Sequence, residues 1–266
     1  MSDTNARFYH PVTLEVISEV PRAKPKKLDD GTVLLNRNTT LGDAKKMGLL
    51  SSVTTIIKDT YATNPQLITW QKDQVLDACI LFPFDKENTP ENVEAYKAMI
   101  NAKSNEYRDY TADKGKFIHA AASRWVDLKT MCDDPVCNHM IEQLDVWTKA
   151  NGVVSMTTEQ KLGSKEIGFA GTPDIYCKAE VDIILDIKTT AFKSFSKPYD
   201  TWKIQLGAYR ILTKAAKGTR LVQMVVDRDT GDCLFIDHED PDRYADAFMH
   251  LFNVWCIVAN YDPRKV

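Results

Sequence analysis

The sequence has few of the features that mark specialised classes of protein. It contains no apolar run near the roughly 18 residues that a membrane helix needs. Residues 1–5 carry neither the charged nor the apolar part of a signal peptide. Repeats and low-complexity tracts are also absent. We therefore expect an intracellular, cytoplasmic protein with no membrane partner.

The six cysteines lack the close pairing that a metal site or a disulfide framework requires. They stand at positions 79, 132, 137, 177, 233 and 256, with no CxxC pair among them. This spacing argues against a disulfide-rich scaffold and against a metal cluster built on thiolates. We interpret all six as reduced, mainly structural thiols.

Excess positive charge is missing as well. The 34 lysines and arginines are outnumbered by 37 aspartates and glutamates, which gives a net charge of −3. This excludes a protein that coats nucleic acid by bulk charge, although a local basic patch is enough for a nucleic-acid enzyme. Such a patch lies between residues 188 and 220, where eight basic residues accompany one acid, Asp200. The basic residues are Lys188, Lys193, Lys197, Lys203, Arg210, Lys214, Lys217 and Arg220.

The sequence pattern predicts three regions. Residues 1–50 form an N-terminal arm or irregular lead-in with a short strand at 13–20, residues 51–152 are helical, and residues 153–266 mix strands and helices. We expect residues 51–266 to form one compact domain. In the helical region, helices are predicted after Ser52 as far as Thr60, after Asn64, after Thr89, over 112–130 and from Asp134 to Gly152. Two later helices are predicted, one over 200–217 between Asp200 as N-cap and Gly218, and one after Asp240. Strands are predicted over 153–161, 171–178, 181–189, 221–227 and 233–237. This order indicates an α/β or α+β fold with one mixed sheet and a helical N-terminal half.

The residues with the most chemical information lie in the middle of this sheet. Residues two apart on a strand share a face, so Asp186 and Lys188 point the same way at the end of an apolar strand. A hairpin through residues 178–181 folds Asp174 back beside Asp186. Two neighbouring carboxylates repel each other unless a cation lies between them, and hard oxygen ligands favour Mg²⁺ or Mn²⁺.

Two acids, one lysine and a divalent ion suffice for phosphodiester hydrolysis. In this interpretation Lys188 orients the attacking water, lowers its pKa or neutralises the charge that develops on the phosphate. The alternative is an exposed strand end with a surface ion pair, which is the commoner meaning of a bare Asp-x-Lys. The apolar residues before Asp186 and the helix that follows favour a site.

The helix after this strand carries Gln205 and Tyr209 one turn apart on the same face. They either face the DNA backbone and support the metal, or they are a core tyrosine and its polar neighbour; the sequence leaves both open. The nearby lysines alternate with aromatic residues, a combination that suits phosphate binding and base stacking. These aromatic residues are Phe192, Phe195, Tyr199 and Trp202, the last of which is also a core candidate.

These residues resemble the PD-(D/E)xK nuclease superfamily. The similarity is greatest to its RecB-like exonuclease branch, which includes the mitochondrial genome maintenance exonucleases and their phage counterparts. It rests on short segments in the family's order over about residues 50–210. The segments are Ser52-Val-Thr-Thr-Ile-Ile57, Asp113-Lys-Gly115-Lys-Phe-Ile-His119, Glu159, Gly171-Thr-Pro-Asp174, Asp186-Ile-Lys188 and Gln205-x-x-x-Tyr209.

The resemblance implies a restriction-endonuclease-like core with a metal bound by His119, Asp174, Asp186 and the backbone carbonyl of Ile187. It implies Lys188 as the catalytic lysine, with Asp174 and Asp186 as its catalytic partners. Supporting or DNA-binding candidates are Glu159 (with Glu166 and Glu180 as alternatives), Thr189, Thr190, Lys193, Lys197, Lys203, Gln205 and Tyr209. Iron–sulfur members of this branch carry three late cysteines, whereas here Cys233 and Cys256 stand alone, so no iron–sulfur cluster is expected.

We therefore expect a DNA exonuclease dependent on Mg²⁺ or Mn²⁺ that acts on single strands or DNA ends, in replication, recombination or genome turnover. A structure-specific or restriction-like endonuclease is one alternative, and a catalytically silent nucleic-acid-binding module on a nuclease fold is another. The intact Asp174, Asp186 and Lys188 argue against the silent module. No P-loop is present, so translocation is not supported. The oligomeric state and the cleavage polarity stay open.

Overall fold

The computed structural model describes residues 7–61, 65–216 and 218–266, with backbone alone for residues 65–67. The helices are α1 (Leu41–Met47), α2 (Val53–Thr60), α3 (Pro65–Leu81), α4 (Pro90–Leu128), α5 (Pro135–Ala150), α6 (Asp200–Leu212) and α7 (Pro241–Val258). The strands are β1 (Phe8–Tyr9), β2 (Glu19–Lys27), β3 (Val33–Asn38), β4 (Leu50–Ser52), β5 (Ser155–Thr158), β6 (Leu162–Gly163), β7 (Phe169–Gly171), β8 (Ile175–Lys178), β9 (Ile183–Thr190), β10 (Arg220–Asp227) and β11 (Cys233–His238). Within the described ranges, no helix combines the length and hydropathy needed to cross a bilayer.

A five-stranded mixed sheet forms the centre of the molecule. Its strand order is β11-β10-β9-β8-β5, with β9 and β10 parallel and the other neighbours antiparallel. Parallel neighbours need a crossover connection, which α6 supplies between β9 and β10. The mixed α/β architecture expected from the sequence is confirmed. The expectation of one sheet is wrong, because β1, β4, β7 and β6 form a second, four-stranded sheet and β2 pairs with β3 in a third. The strand expected over 171–178 is divided between β7 and β8, which belong to different sheets.

Apolar side chains cover both faces of this sheet. Because successive strand residues point to opposite faces, Ile184 packs with Phe248 and Phe252 beneath α6 and α7. Leu185 and Ile187 instead pack under α4 and α5, in a cluster that contains Trp125. Strand β9 is therefore buried on both faces, and the polar end of the strand emerges from a core.

The predicted irregular arm is wrong for the residues from Arg7 onward. Phe8–Tyr9 pairs with β4, and each of these two residues is only 1% exposed. Strands β2 and β3 pair with each other, and Val16 forms only a single bridge to Tyr9 where a strand over 13–20 was expected. The partner of β1 lies about 40 residues away in sequence, so local periodicity carries no sign of the pairing.

The bounds of two helices, α4 and α6, also differ from the prediction. Helix α4 runs unbroken through the expected gap near residue 111, because no proline interrupts it and its one glycine costs only about 1 kcal/mol. Helix α6 ends at Leu212 rather than near 217, and Lys214 has a left-handed backbone with φ of 50°. Its N-cap is Tyr199 rather than Asp200. Asn64 and Lys217 lie outside the described residues.

Candidate metal and catalytic site

The β8–β9 hairpin brings Asp174 to the polar end of β9. Its register pairs Ile175 with Leu185, so Asp174, which directly precedes β8, lies beside Asp186 and Ile187. The backbone N–H of Ile187 donates a hydrogen bond of 2.7 Å to Asp174 Oδ2. Both acids therefore meet at one place, as the hairpin in the sequence predicts.

Three side chains from separate elements converge into a donor group at this point. His119 from α4, Glu159 after β5 and Asp174 before β8 place one ligand atom each so that all lie within 4.8 Å of one another. His119 Nδ1 lies 3.4 Å from Asp174 Oδ1. Two carboxylates and one imidazole suit a divalent cation, with positions left for water or substrate.

Glu159 is the acidic neighbour that the structure selects. Its backbone is left-handed, with φ of 48°, and its N–H donates to the carbonyl of Asp174 at 3.2 Å. This turn after β5 directs the carboxylate to the donor group. The pKa of Glu159 is raised by desolvation and by the negative charge of Asp174. Glu166 and Glu180 are not in the group.

A second, deeper group surrounds Asp186, whose side chain is 1% exposed. Lys188 Nζ lies 2.7 Å from Asp186 Oδ2, and Gln223 Nε2 donates to the same oxygen at 2.6 Å. Lys188 also donates to Gln205 Oε1 at 3.1 Å, and Gln205 Nε2 donates to the Tyr209 hydroxyl at 2.7 Å. Asp186 thus engages Lys188 and Gln223 and is not one of the three clustered donors, so its role as a ligand stays a prediction.

Burial and neighbouring charges shift the pKa values of these residues in different directions. Burial would raise the pKa of Asp174, but the hydrogen bond and charge of His119, together with the charge of Lys188, hold it below its usual value. Burial would lower the pKa of His119, but Asp174 raises it instead. The pKa of Asp186 is raised, because its burial and the nearby Asp174 outweigh Lys188. A cation bound here would relieve this crowding of negative charge.

A close helix–strand approach sets the position of His119. A Cβ on Gly115 would lie 2.9 Å from Thr189 Oγ1, nearer than van der Waals contact allows. Glycine therefore lets α4 pass directly over the end of β9. His119 lies one turn further along the same helix face, which explains the Gly-x-x-x-His spacing.

The sequence analysis missed Gln223 and Arg7. Gln223 is fully buried, on β10, and contacts Asp186; its signal is a single polar residue within the apolar run of that strand. Burial and the charge of Asp174 raise the pKa of Glu159, and the positive charges of His119 and Arg7 oppose this rise. Arg7 directly precedes β1, whose pairing has no local signal.

The other predicted residues differ in their surroundings. Tyr209 is 4% exposed and belongs to the core, which favours the core alternative, while its hydroxyl still contacts Gln205. Thr189 and Thr190 are half-buried at the end of β9, and Lys193 and Lys197 are exposed.

Much of the basic segment is neutralised by acids. Lys203 pairs with Asp200 at 3.1 Å, and Arg220 pairs with Asp237 at 2.6 Å. Arg210 pairs with Asp242 of α7. The positive excess counted along residues 188–220 is therefore smaller in space than in sequence, because two of these acids come from other elements.

Comparisons with known proteins add little to this geometry. No family model matches the sequence, and no curated protein matches it significantly. Among solved structures, SSO0001 is similar with a TM-score of 0.31 and 17% identity, over 71% of this chain and 87% of that one. A structure from Eubacterium rectale named "Putative exonuclease" has a TM-score of 0.37 and 11% identity, over 55% of this chain and 66% of that one. Scores this low carry no functional argument, so function must be inferred from the site.

Proposed function

We propose that this protein is a metal-dependent phosphodiester hydrolase, and specifically a DNA exonuclease that acts on single strands or DNA ends. The observation that carries the proposal is the pairing of two groups. The His119, Glu159 and Asp174 donor group lies beside the buried Asp186–Lys188 pair. This combination matches the PD-(D/E)xK resemblance of the sequence.

The donor group has the composition that a divalent cation requires. His119, Glu159 and Asp174 would hold Mg²⁺ or Mn²⁺, and we propose that Asp186 and the Ile187 carbonyl join them as ligands. The ion would supply Lewis acidity, which polarises a phosphoryl oxygen and favours ionisation of a bound water.

Lys188 is the proposed catalytic residue. Asp186 and Gln205 hold its ammonium from two sides, so the cation has a fixed position with 21% of the side chain exposed. From there the ammonium can orient the attacking water and stabilise negative charge that develops on the phosphate. Asp174 accepts the Ile187 N–H and thereby fixes the peptide between Asp186 and Ile187, directly before Lys188.

A helical wall beside the site supports the preference for ends. Helix α4 has 39 residues and is therefore about 58 Å long, and it crosses the end of β9 at Gly115. A single strand or a frayed end can enter next to such a wall more easily than continuous duplex can. Exposed Lys193 and Lys197 would bind the phosphate backbone without reading sequence.

A cleavage assay with topologically different substrates tests the proposal. Linear single-stranded DNA, labelled separately at each end, should be degraded from an end with Mg²⁺ or Mn²⁺ and left intact with EDTA. Covalently closed single-stranded circles should stay intact. Cleavage of circles would instead identify an endonuclease, and no cleavage of any DNA under metal would overturn the proposed activity.

A further inference from the structure

Four aromatic rings form a continuous surface strip next to the site. This aromatic strip consists of Phe192, Phe195, Tyr199 and Trp202. The rings of Phe195 and Trp202 are stacked, with centroids 6.2 Å apart and an interplanar angle of 10°. Tyr199 meets Trp202 edge-on at 4.8 Å, and Phe192 lies 6.4 Å from Phe195.

The strip is not part of the hydrophobic core. Its four residues lie outside all three clusters of packed apolar residues that the described part of the chain forms. Tyr199 is 44% exposed, and the other three rings are half-buried. Packing of the interior therefore does not account for four large rings within eleven residues.

The segment that carries the strip is anchored to the sheet. The N–H of Phe192 donates to Asp227 Oδ2 at 2.7 Å, at the end of β10. Asp227 also accepts from the N–H groups of Asp229 and Thr230. The rings therefore stand on a fixed base, which lowers the entropic cost of holding a ligand against them.

The strip adjoins the proposed catalytic residues on both sides. It begins two residues after Thr190, at the end of the strand that carries Lys188. It ends at Trp202, three residues before Gln205 on the same face of α6. A single strand that extends from a phosphate at Lys188 along this segment would pass over these rings.

The charges along the strip indicate the chemistry of its ligand. Lys193 and Lys197 alternate with the rings and are exposed, while Lys203 is partly neutralised by Asp200. Cations between aromatic faces suit a polymer that alternates negative groups with flat rings, and an apolar protein surface would not need them. Unpaired nucleotides have this composition, because each base offers a π-face and each phosphate a charge.

We propose that the aromatic strip is a base-stacking subsite for unpaired nucleotides next to the scissile phosphate. The inference rests on the proposed nuclease function and names the part of the substrate that this surface binds. Such a subsite makes affinity depend on the presence of bases as well as on the phosphate backbone. It does not select one base over another.

Binding without cleavage tests the subsite. The full-length protein is titrated in EDTA against two fluorescein-labelled oligomers of equal length, oligo(dT) and an abasic oligomer with the same phosphates, and anisotropy is recorded. The wild-type protein should bind oligo(dT) more tightly. Tyr199→Ala should weaken oligo(dT) binding about fivefold or more, the scale of one lost base stack, and leave abasic binding unchanged.

Matched variants separate stacking from charge. Lys197→Ala should weaken both oligomers equally, because it removes a phosphate contact. Tyr61→Ala, at an exposed tyrosine that follows α2, should change neither. Three outcomes would overturn the subsite. They are equal affinity of the wild-type protein for both oligomers, an equal loss of affinity for both in Tyr199→Ala, and no binding of either oligomer. If the protein binds oligo(dT) more tightly than the abasic oligomer but cleaves no DNA with Mg²⁺ or Mn²⁺, the subsite is supported and the nuclease function is rejected.

Discussion

The side chain of Gln223 shows how a neutral residue can organise a charged site. Its amide nitrogen contacts both the carboxylate and the carbonyl of Asp186, at 2.6 and 2.7 Å. The carboxylate therefore keeps a fixed orientation toward Lys188. Among the described side chains, its own Oε1 is one of the few buried polar atoms without a hydrogen-bond partner. A buried amide whose nitrogen makes two hydrogen bonds to Asp186, while its oxygen makes none, indicates a positioning role.

At this scale we predict that Gln223→Leu slows cleavage about tenfold while DNA binding is retained. A hydrogen bond to a charged group contributes about 1.5–3 kcal/mol, and about 1.4 kcal/mol of barrier corresponds to a factor of ten. Single-turnover rates on linear single-stranded DNA measure the effect. Met224→Leu, a volume-conserving change at the adjacent buried position, is the control. A wild-type rate in Gln223→Leu would show that Asp186 needs no such support.

The candidate site is readable from sequence where the contacts are local. Asp186 and Lys188 share a face because of strand alternation, and Asp174 joins them through a short hairpin. Glu159 and Gln223 come from neighbouring strands, and only the tertiary pairing places them. The resemblance names Glu159 but leaves Glu166 and Glu180 as alternatives. The structure selects Glu159, whose left-handed backbone turns its carboxylate to the donor group.

At the scale of elements, contact between α4 and β9 determines where the imidazole of His119 lies. Among the described helices, α4 spans the largest number of residues, and its buried positions cluster between Gly115 and Val126. The spacing of apolar residues predicts a helix on each side of residue 111, but it contains no signal that the two are one continuous helix. Continuity matters because it extends the wall beside the site.

We predict that Gly115→Ala lowers both stability and Mn²⁺ affinity. The new Cβ would lie 2.9 Å from Thr189 Oγ1, so α4 and the Thr189 side chain are pushed apart. We expect α4 to shift and carry His119 with it, and overpacking of this kind costs about 1–3 kcal/mol. Chemical denaturation and calorimetric Mn²⁺ titration measure the two effects. The double variant Gly115→Ala with Thr189→Ala should recover Mn²⁺ affinity, because the obstructing hydroxyl is gone. Unchanged Mn²⁺ affinity in the single variant would contradict the close-approach argument.

At the scale of the whole molecule, ion pairs between distant residues decide where positive charge stays free on the surface. The net charge of −3 excludes a bulk-charge binder, and the basic run at residues 188–220 marks a candidate DNA path. Folding then pairs Arg210 and Arg220 with acids that lie far along the chain. Counting charges in sequence therefore overestimates the positive surface, and the exposed Lys193 and Lys197 carry more of the expected phosphate contact.

We predict that DNA binding weakens with salt and that these two lysines account for a measurable part of the effect. For single strands, each neutralised phosphate contributes about 0.7 to the slope of log affinity against log salt. The double variant Lys193→Ala with Lys197→Ala should therefore reduce the slope by about 1.4. Lys214→Ala, an exposed lysine beyond the end of α6, is the control. An unchanged slope in the double variant would place the DNA path elsewhere.

The most direct test is the Lys188→Ala variant, because Lys188 is the proposed catalytic residue and its ammonium lies 2.7 Å from the buried Asp186 carboxylate. Its single-turnover cleavage of end-labelled linear DNA is measured with Mn²⁺, alongside Mn²⁺ binding, DNA binding and circular dichroism. We predict a loss of cleavage of at least about a hundredfold, the scale of a lost catalytic side chain, with fold and both binding activities retained. Cleavage at the wild-type rate would contradict the assignment, and loss of folding or of both binding activities together with cleavage would show that Lys188 is structural.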